Sequence, residues 1–250
     1  MRRPILQTAV ALLLVSAGCS MFGSDAVRQP EALDHLDGAR ERLDAVTSYR
    51  YDVTISATGG DERITGHGLG AVNATTRRQV VNLSIDGRRS MSYLDNRTAF
   101  TECRGPAGDG FWGRDNSSTA SNWTALTPAG RQLELLSTGD LYHNGTETIG
   151  GWTVVHLSGR PTPASLRESR DGTGVPVVGG PNVDSVTLDL WLDAETERPV
   201  RSELQVVVSR DGETATATVT TEYRDYGEPV RISIPDGVRA DALRNGCPGS

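Results

Sequence analysis

Few side chains of this sequence could do covalent or metal chemistry, namely three cysteines and four histidines. None of the histidines has the His-Glu-x-x-His spacing that places two imidazoles on one helix face for zinc. The chain also lacks a Gly-x-Ser-x-Gly segment, the turn that presents the nucleophile in many hydrolases. We therefore expect neither catalysis nor a bound metal or cofactor. The histidines are His35, expected to be solvated on a helix, His156, expected in the core or a cavity, and His67 and His143.

Cys19 has the clearest predicted role. It follows Arg2-Arg3, an apolar run over residues 8–15 and the small residues Ser16-Ala17-Gly18. A positive start, a short apolar stretch and small residues are typical of a secretory signal. The stretch is shorter than the about 20 residues that span a bilayer. The paired arginines resemble a twin-arginine export motif, and Gly18-Cys19 resembles a lipobox, in which the cysteine carries a lipid. The alternative is ordinary cleavage near Ala17, with Cys19 a free thiol.

These signals divide the chain into a signal peptide over residues 1–18, a polar tether over 19–30 and a single domain over 31–250. A lipid on Cys19 would make the membrane a partner of this protein. It would also hold the domain on the extracellular face of the cell membrane.

Cys103 and Cys247 are then left as a pair in an oxidising compartment, where disulfides persist. A bridge between them would close a loop of about 145 residues. The resulting loss of chain entropy in the unfolded state would stabilise the fold by about 5 kcal/mol. It would also fix a C-terminal tail that should otherwise fray. The alternative is two unpaired thiols.

The composition is acidic, with 32 Asp and Glu residues against 25 basic ones and a formal net charge of −7. Every basic residue is an arginine. Surplus acid suits concentrated salt, where self-repulsion is screened, and the composition resembles that of a halophilic archaeon. The sequence has no basic stripe to neutralise phosphates, so we do not expect a nucleic-acid partner.

Six segments fit the Asn-x-Ser/Thr acceptor pattern for N-glycosylation. Some arise by chance in a chain rich in serine and threonine, but together they agree with an exported and exposed protein. The candidate asparagines are Asn73, Asn82, Asn96, Asn116, Asn122 and Asn144.

The elements that must position these groups begin with a helix. Pro30 precedes apolar residues at helical spacing through Val46, with charged residues between them. From Ser48 the period changes to two, and strand-like runs follow over 64–72, 77–85, 90–94 and 98–103. Asp86-Gly87 predicts a tight hairpin. Three glycines at 66, 68 and 70 are interpreted as a bend or a close backbone approach within a strand.

Residues 104–125 predict a long loop that carries Phe111 and two tryptophans. A helix is expected after Thr127-Pro128, a strand over 151–157 and a short helix over 163–168, followed by a Gly/Pro-rich loop to residue 182. The C-terminal third then alternates as three strands. These patterns predict an α+β domain built on an antiparallel meander.

Three sequence segments resemble the LolA-like superfamily, closest to the LppX/LprG type of lipoprotein. They are Val46-Thr47-Ser48-Tyr49 after the first helix, Leu190-Trp191-Leu192-Asp193 with Arg198-Pro199-Val200-Arg201, and the run from Tyr223 to Val230. The resemblance implies an incompletely closed antiparallel β-barrel, a curved sheet with an N-terminal helix and one or two midchain helices across its concave face. It also implies an apolar cavity that holds lipid. The glycine-rich segment 104–125 and the tail cysteine depart from it.

The residues themselves allow two interpretations of the interior. Small side chains on one predicted strand leave room beside the larger leucines of another, and tryptophans offer apolar walls with one polar edge. The same residues could instead form an ordinary filled core, in which case the protein would be a cell-surface interaction or structural domain. The candidate cavity residues are Trp112, Trp123, Trp152, Val154, Leu188, Leu190, Leu192, Ala215, Ala217 and Val219.

Overall fold

The computed structural model describes residues 26–104, 110–116, 122–168, 183–210, 212–244 and 246–247. The predicted signal peptide, Cys19, most of the predicted tether and the loop over 169–182 lie outside the described residues. Twelve strands are described: β1 (Ser48–Gly59), β2 (Glu62–Asn73), β3 (Arg78–Ile85), β4 (Arg88–Asp95), β5 (Thr98–Arg104), β6 (Gly110–Asn116), β7 (Asp140–Ile149), β8 (Trp152–Arg160), β9 (Val183–Asp193), β10 (Pro199–Arg210), β11 (Glu213–Arg224) and β12 (Leu243–Arg244). The described helices are α1 (Pro30–Asp44), α2 (Pro128–Leu136), α3 (Pro163–Glu168) and α4 (Asp236–Asp241).

All twelve described strands form one curved sheet in the order β12-β6-β5-β4-β3-β2-β1-β11-β10-β9-β8-β7. Neighbours pair antiparallel except for β12, which runs parallel to β6. The long pairing of β1 with β11 joins the N-terminal and C-terminal halves. Within the described residues β12 and β7 do not pair, so the barrel stays open. The structure confirms the predicted α+β, incompletely closed antiparallel barrel.

Period-two alternation decides which side of each strand is buried. In β1, Tyr49, Tyr51, Val53 and Ile55 all face the concave side, and each is at most 4% exposed. Gly70 of β2 lies against a side chain of the neighbouring strand, because a Cβ on Gly70 would lie 2.0 Å from Cζ of Tyr51. Asp86 and Gly87 have positive φ angles of 47° and 75°, so the predicted hairpin is confirmed.

The helices cover only part of the concave face. Helix α1 buries Ala32, Leu36, Ala39 and Leu43, and it contacts α2 and strand β7. Helix α2 is capped by Thr127, whose Oγ1 accepts a hydrogen bond from the Gly130 amide at 3.4 Å. It packs on β8 and β9, and α3 packs on β9. The helical cover therefore lies over the half of the sheet that holds β7 to β9.

A second apolar cluster lies on the opposite, convex face of the N-terminal half. It joins Tyr93 and Phe100 with Val230, Ile232, Ile234 and Val238 from the chain after β11. Register shows the face: Tyr93 pairs with Val80 and Phe100, whereas the neighbouring Val81 belongs to the concave core. The sheet is thus covered on its two faces by different parts of the chain.

The structure differs from the sequence predictions in three places. Residues 110–116 form β6 rather than part of a loop, because the outer edge of β5 offers hydrogen bonds that the segment satisfies. Strand β7 was not predicted, because its polar residues obscure the alternation of apolar and polar side chains that indicates a strand. Residues 26–29 are not a free tether: Arg28 bridges Leu141 in parallel, and the Gln29 amide donates to the Leu141 carbonyl at 3.1 Å.

Candidate functional site

One end of the concave face is filled by aromatic side chains. The tyrosine cluster comprises Tyr49, Tyr51, Tyr223 and Tyr226, with ring centroids 6.2, 6.0 and 5.4 Å from Tyr49. The hydroxyl of Tyr51 accepts a hydrogen bond from Nε2 of Gln79 at 3.1 Å. Burial raises the pKa of Tyr49, Tyr51 and Tyr223 well above the ordinary value. This end of the interior is therefore closed and neutral.

The central part of the concave face is also filled. Leu188, Leu190 and Leu192 are each 0% exposed, and they belong to the same core as residues of α1 and α2, including Leu36 and Leu133. Val219, at 8% exposure, lies at the margin of this core. The predicted leucine set is thus brought together, but helix side chains occupy the space above it.

Among the described residues, the far end of the concave face is open. Here the β1–β2 and β10–β11 hairpins bound a cavity of about 370 Å³, which we call the distal groove. Its concave-facing residues are Ala57, Gly59, Glu62, Ile64, Val208, Glu213, Ala215 and Ala217. Ala57 pairs with Ala217, and Gly59 pairs with Ala215, so small residues face one another across the strand pair. The groove exists because these positions lack the bulk that Tyr51 and Tyr223 supply at the other end.

The distal groove continues the apolar core without a break. Ile55 and Val206 lie two residues before Ala57 and Val208 on the same strand faces, and both are core members. Ile64, on the groove wall, is 41% exposed. The charged side chains among the described lining residues are those of Glu62 and Glu213. Apolar surface thus runs from the closed core out to a solvent-accessible mouth with an acidic rim.

The tryptophans predicted for the cavity do not come together. Trp123 packs at the concave side against the main core and a small cluster with Leu94. Trp112 lies on the convex face, where its ring centroid is 5.7 Å from that of Tyr93. Trp152 is 63% exposed at the start of β8. Placing Trp112 and Trp152 at the groove is therefore wrong, because strand parity and position direct them elsewhere.

Val154 is fully buried but faces away from the groove. Its neighbour Val155 pairs with Leu192 on the concave side, so Val154 projects to the convex side with His156. His156 is therefore not a cavity residue: its Nε2 lies 2.8 Å from Oδ1 of Asp189, and its ring stacks on Trp191 at 4.8 Å. The misassignment arises from a one-residue error in parity, which reverses the face of every side chain.

His35 is half-buried rather than fully solvated, and the fold brings it beside His143. Their ring centroids are 5.3 Å apart, and Nδ1 of His35 lies 3.4 Å from Oε1 of Glu197. Glu31 joins them, so that three groups able to bind a metal offer ligand atoms within 4.8 Å of one another. The separation of more than a hundred residues between the two histidines concealed this cluster in the sequence.

The predicted disulfide is present. Cys103 and Cys247 are bonded, with their Cα atoms 5.5 Å apart and a sequence separation of 144 residues. The bridge links β5 to the tail after β12, and the Gly246 amide donates to the Arg114 carbonyl at 3.0 Å. The tail is held at the edge of the sheet by both contacts.

The candidate glycosylation sites differ in access. Asn73 is half-buried, and its Nδ2 donates to the Val230 carbonyl at 2.6 Å, so the atom that would carry a glycan is engaged in packing the C-terminal segment. The other five asparagines are exposed, at Asn82, Asn96, Asn116, Asn122 and Asn144.

An open, curved antiparallel sheet whose concave face is part covered by helices and part vacant defines a half-barrel fold. The structure is similar to that of lipoprotein LppX from Mycobacterium tuberculosis, with a TM-score of 0.53 and 16% identity over 82% of this chain and 100% of that chain. It is also similar to LprF from Mycobacterium bovis, with a TM-score of 0.45 and 18% identity over 83% of this chain and 98% of that chain. A third likeness is to a putative outer membrane lipoprotein-sorting protein domain from Vibrio parahaemolyticus. Here the TM-score is 0.35 and the identity is 12%, over 80% of this chain and 95% of that chain.

The likeness to LppX shows a shared fold, and at that level it agrees with the resemblance found in the sequence. No family model matches the chain, and no curated protein matches it by sequence. No helix among the described residues is both long and apolar enough to cross a membrane.

Proposed function

We propose that this chain is a membrane-anchored extracytoplasmic lipoprotein that holds a lipid or another hydrophobic molecule in the distal groove. The observation that carries this proposal is the change in side-chain size along the concave face. Tyrosines and leucines close one end, whereas Ala57, Gly59, Ala215 and Ala217 leave a cavity of about 370 Å³ at the other. That volume lies within the range of about 300–1,000 Å³ found for small-molecule sites.

The groove favours an apolar guest for a physical reason. It continues the core face past Ile55 and Val206, so a chain laid along it would cover surface that is otherwise in contact with water. Each buried methylene contributes about 0.8 kcal/mol. Ten of them give about 8 kcal/mol, which is comparable to the association cost of about 4–15 kcal/mol. The proposed ligand is therefore a long acyl or isoprenoid-like chain rather than a short one.

Chain length is the variable that tests this proposal. Full-length protein binding a homologous series of long-chain alcohols should gain about fourfold in affinity per methylene, until the groove is filled. Protein purified from its native membrane should also release a long-chain lipid into organic solvent, detected by mass spectrometry. Ligand-free protein, together with affinities that do not depend on chain length, would leave only the alternative of a cell-surface interaction domain.

Anchoring through Cys19 is the second part of the proposal. Its support is the sequence pattern before Cys19, together with the position of residues 26–29, which attach the start of the domain to β7. Cys19→Ser should move the protein from the membrane fraction to the soluble fraction without changing its fold. Extracellular exposure, twin-arginine export, a halophilic origin and glycan occupancy stay predictions.

A further inference from the structure

The histidine cluster near the start of the domain is built by three separate elements. Glu31 and His35 lie four residues apart on α1, and therefore on one face of that helix. His143 comes from strand β7. Glu197 comes from the turn between β9 and β10. No local sequence pattern connects these residues, and only the packing of α1 on the sheet brings them together.

The distances within the cluster are short enough for a shared ion. One ligand atom each from Glu31, His35 and His143 lies within 4.8 Å of the other two. Nδ1 of His143 is 3.2 Å from Oε2 of Glu31. The two imidazole rings have centroids 5.3 Å apart. Two imidazoles and a carboxylate thus converge on one point.

One ring nitrogen of His143 lacks a hydrogen-bond partner in the part of the chain that the structure describes. Nε2 of His143 is buried and has no hydrogen-bond partner among the described residues. A buried polar atom without a partner costs about 1–3 kcal/mol. Two separate His–Glu ion pairs would not by themselves bring the two imidazole rings next to each other.

Glu197 is held beside His35 by its backbone and by a glycine. Its φ angle of +56° is in the left-handed region that glutamate seldom adopts. A Cβ on Gly38 would lie 2.4 Å from Oε2 of Glu197, so a larger residue at position 38 would require this carboxylate to shift. Nδ1 of His35 can donate to Glu197, which leaves Nε2 of His35 as a ligand atom.

We propose that Glu31, His35 and His143 form a binding site for a divalent transition metal, with Glu197 as a positioning residue. Imidazole nitrogens and a carboxylate oxygen are ligands of zinc. A carboxylate on the far nitrogen of a ligating histidine fixes its tautomer and ring orientation. Three protein ligands leave one position of a tetrahedral ion to water.

The consequence is mechanical rather than catalytic. Strand β7 is the last strand at one edge of the described sheet, and residues 26–29 and α1 pack against it. A metal shared by α1 and β7 would fasten the first helix to that edge, at the point where the chain arrives from Cys19. Metal binding would therefore stabilise the covered half of the concave face.

Zinc alone is the probe that tests this site. Full-length protein in detergent, first treated with a chelator, should bind one Zn²⁺ per chain by calorimetry. At a hundredfold excess over Kd the Tm should rise by about 5 °C or more. His35→Gln and His143→Gln should each weaken binding at least tenfold, and Glu197→Gln should weaken it about 10–100-fold. Co²⁺ in place of zinc should give the visible absorption of a tetrahedral site.

His156 supplies the matched control, because it also contacts two carboxylates, Asp189 and Glu147, but has no second histidine beside it. His156→Gln should leave zinc affinity unchanged. If His143→Gln lowers the Tm of the metal-free protein, the zinc affinity of Glu31→Gln replaces it as the test. The Glu31 side chain is 69% exposed, so this substitution should not disturb the fold. Absence of saturable binding, or an equal loss in His156→Gln, would overturn the proposal.

Discussion

Ala217→Leu is the substitution that most directly probes the distal groove. Ala217 is 3% exposed at the inner end of the groove and pairs with Ala57 on one side and Val206 on the other. The added side chain has three further carbon atoms, which would extend into the vacant volume of about 370 Å³. Because the added carbon atoms would point toward this volume rather than into the packed core, we expect the free energy of unfolding to stay within about 1 kcal/mol of the parent value.

The same leucine should weaken ligand binding. It would displace about three methylenes of a bound chain, each worth about 0.8 kcal/mol. The sum is about 2.4 kcal/mol, which corresponds to about a 50-fold increase in Kd. The assay is fluorescence titration with a labelled long-chain probe, alongside urea denaturation to measure stability.

Two control substitutions make the result interpretable. Thr218→Leu adds similar bulk on the opposite strand face and should change neither binding nor stability. Ala129→Leu places a leucine at a position of α2 that is 0% exposed, so it should cost about 1–3 kcal/mol through overpacking. If Ala217→Leu destabilises the protein as much as Ala129→Leu, the groove is in fact filled. If it folds normally and binds the probe as before, the ligand lies elsewhere.

Three further predictions concern stability. Gly70→Ala should lower the free energy of unfolding by about 1–3 kcal/mol, because its Cβ would lie 2.0 Å from the Tyr51 ring; Tyr51→Phe should leave this clash in place. Replacing both Cys103 and Cys247 by serine should cost up to about 5 kcal/mol in urea denaturation. Burial raises the pKa of Tyr49, Tyr51, Tyr223 and Tyr226, so these tyrosines ionise in the unfolded chain before they do in the folded one. Their contribution to stability should be constant below about pH 10 and fall above it, with a slope that approaches about 1.4 kcal/mol per pH unit for each.

Much of the fold could be predicted from local patterns. The alternation from Tyr49 to Ile55 required a strand with one buried face, and the spacing after Pro30 required a helix. Strand β7 could not be found in this way, because its outer residues are polar and its place at the sheet edge is set by β8. Strand β6 was hidden for a related reason, since its glycines resemble a loop until β5 is available as a partner.

The candidate site was predictable in kind but not in position. Small residues at Ala215 and Ala217 indicated vacant space, and the structure places both at the distal groove. The leucines from 188 to 192 lie beneath helices instead. Trp112 and Val154 face the convex side, since parity relative to the curved sheet depends on which strands pair and in what register.

The sequence alone determined the local features of this protein: strand alternation, helix starts, turn glycines, the acidic surface and the cysteines able to pair. These depend on neighbouring residues, whose spacing along a strand or helix is fixed by backbone geometry. Tertiary structure alone decided where the interior is full and where it is vacant. It also placed His35 beside His143, because contacts between distant residues depend on how α1 packs over β7, which no local pattern specifies.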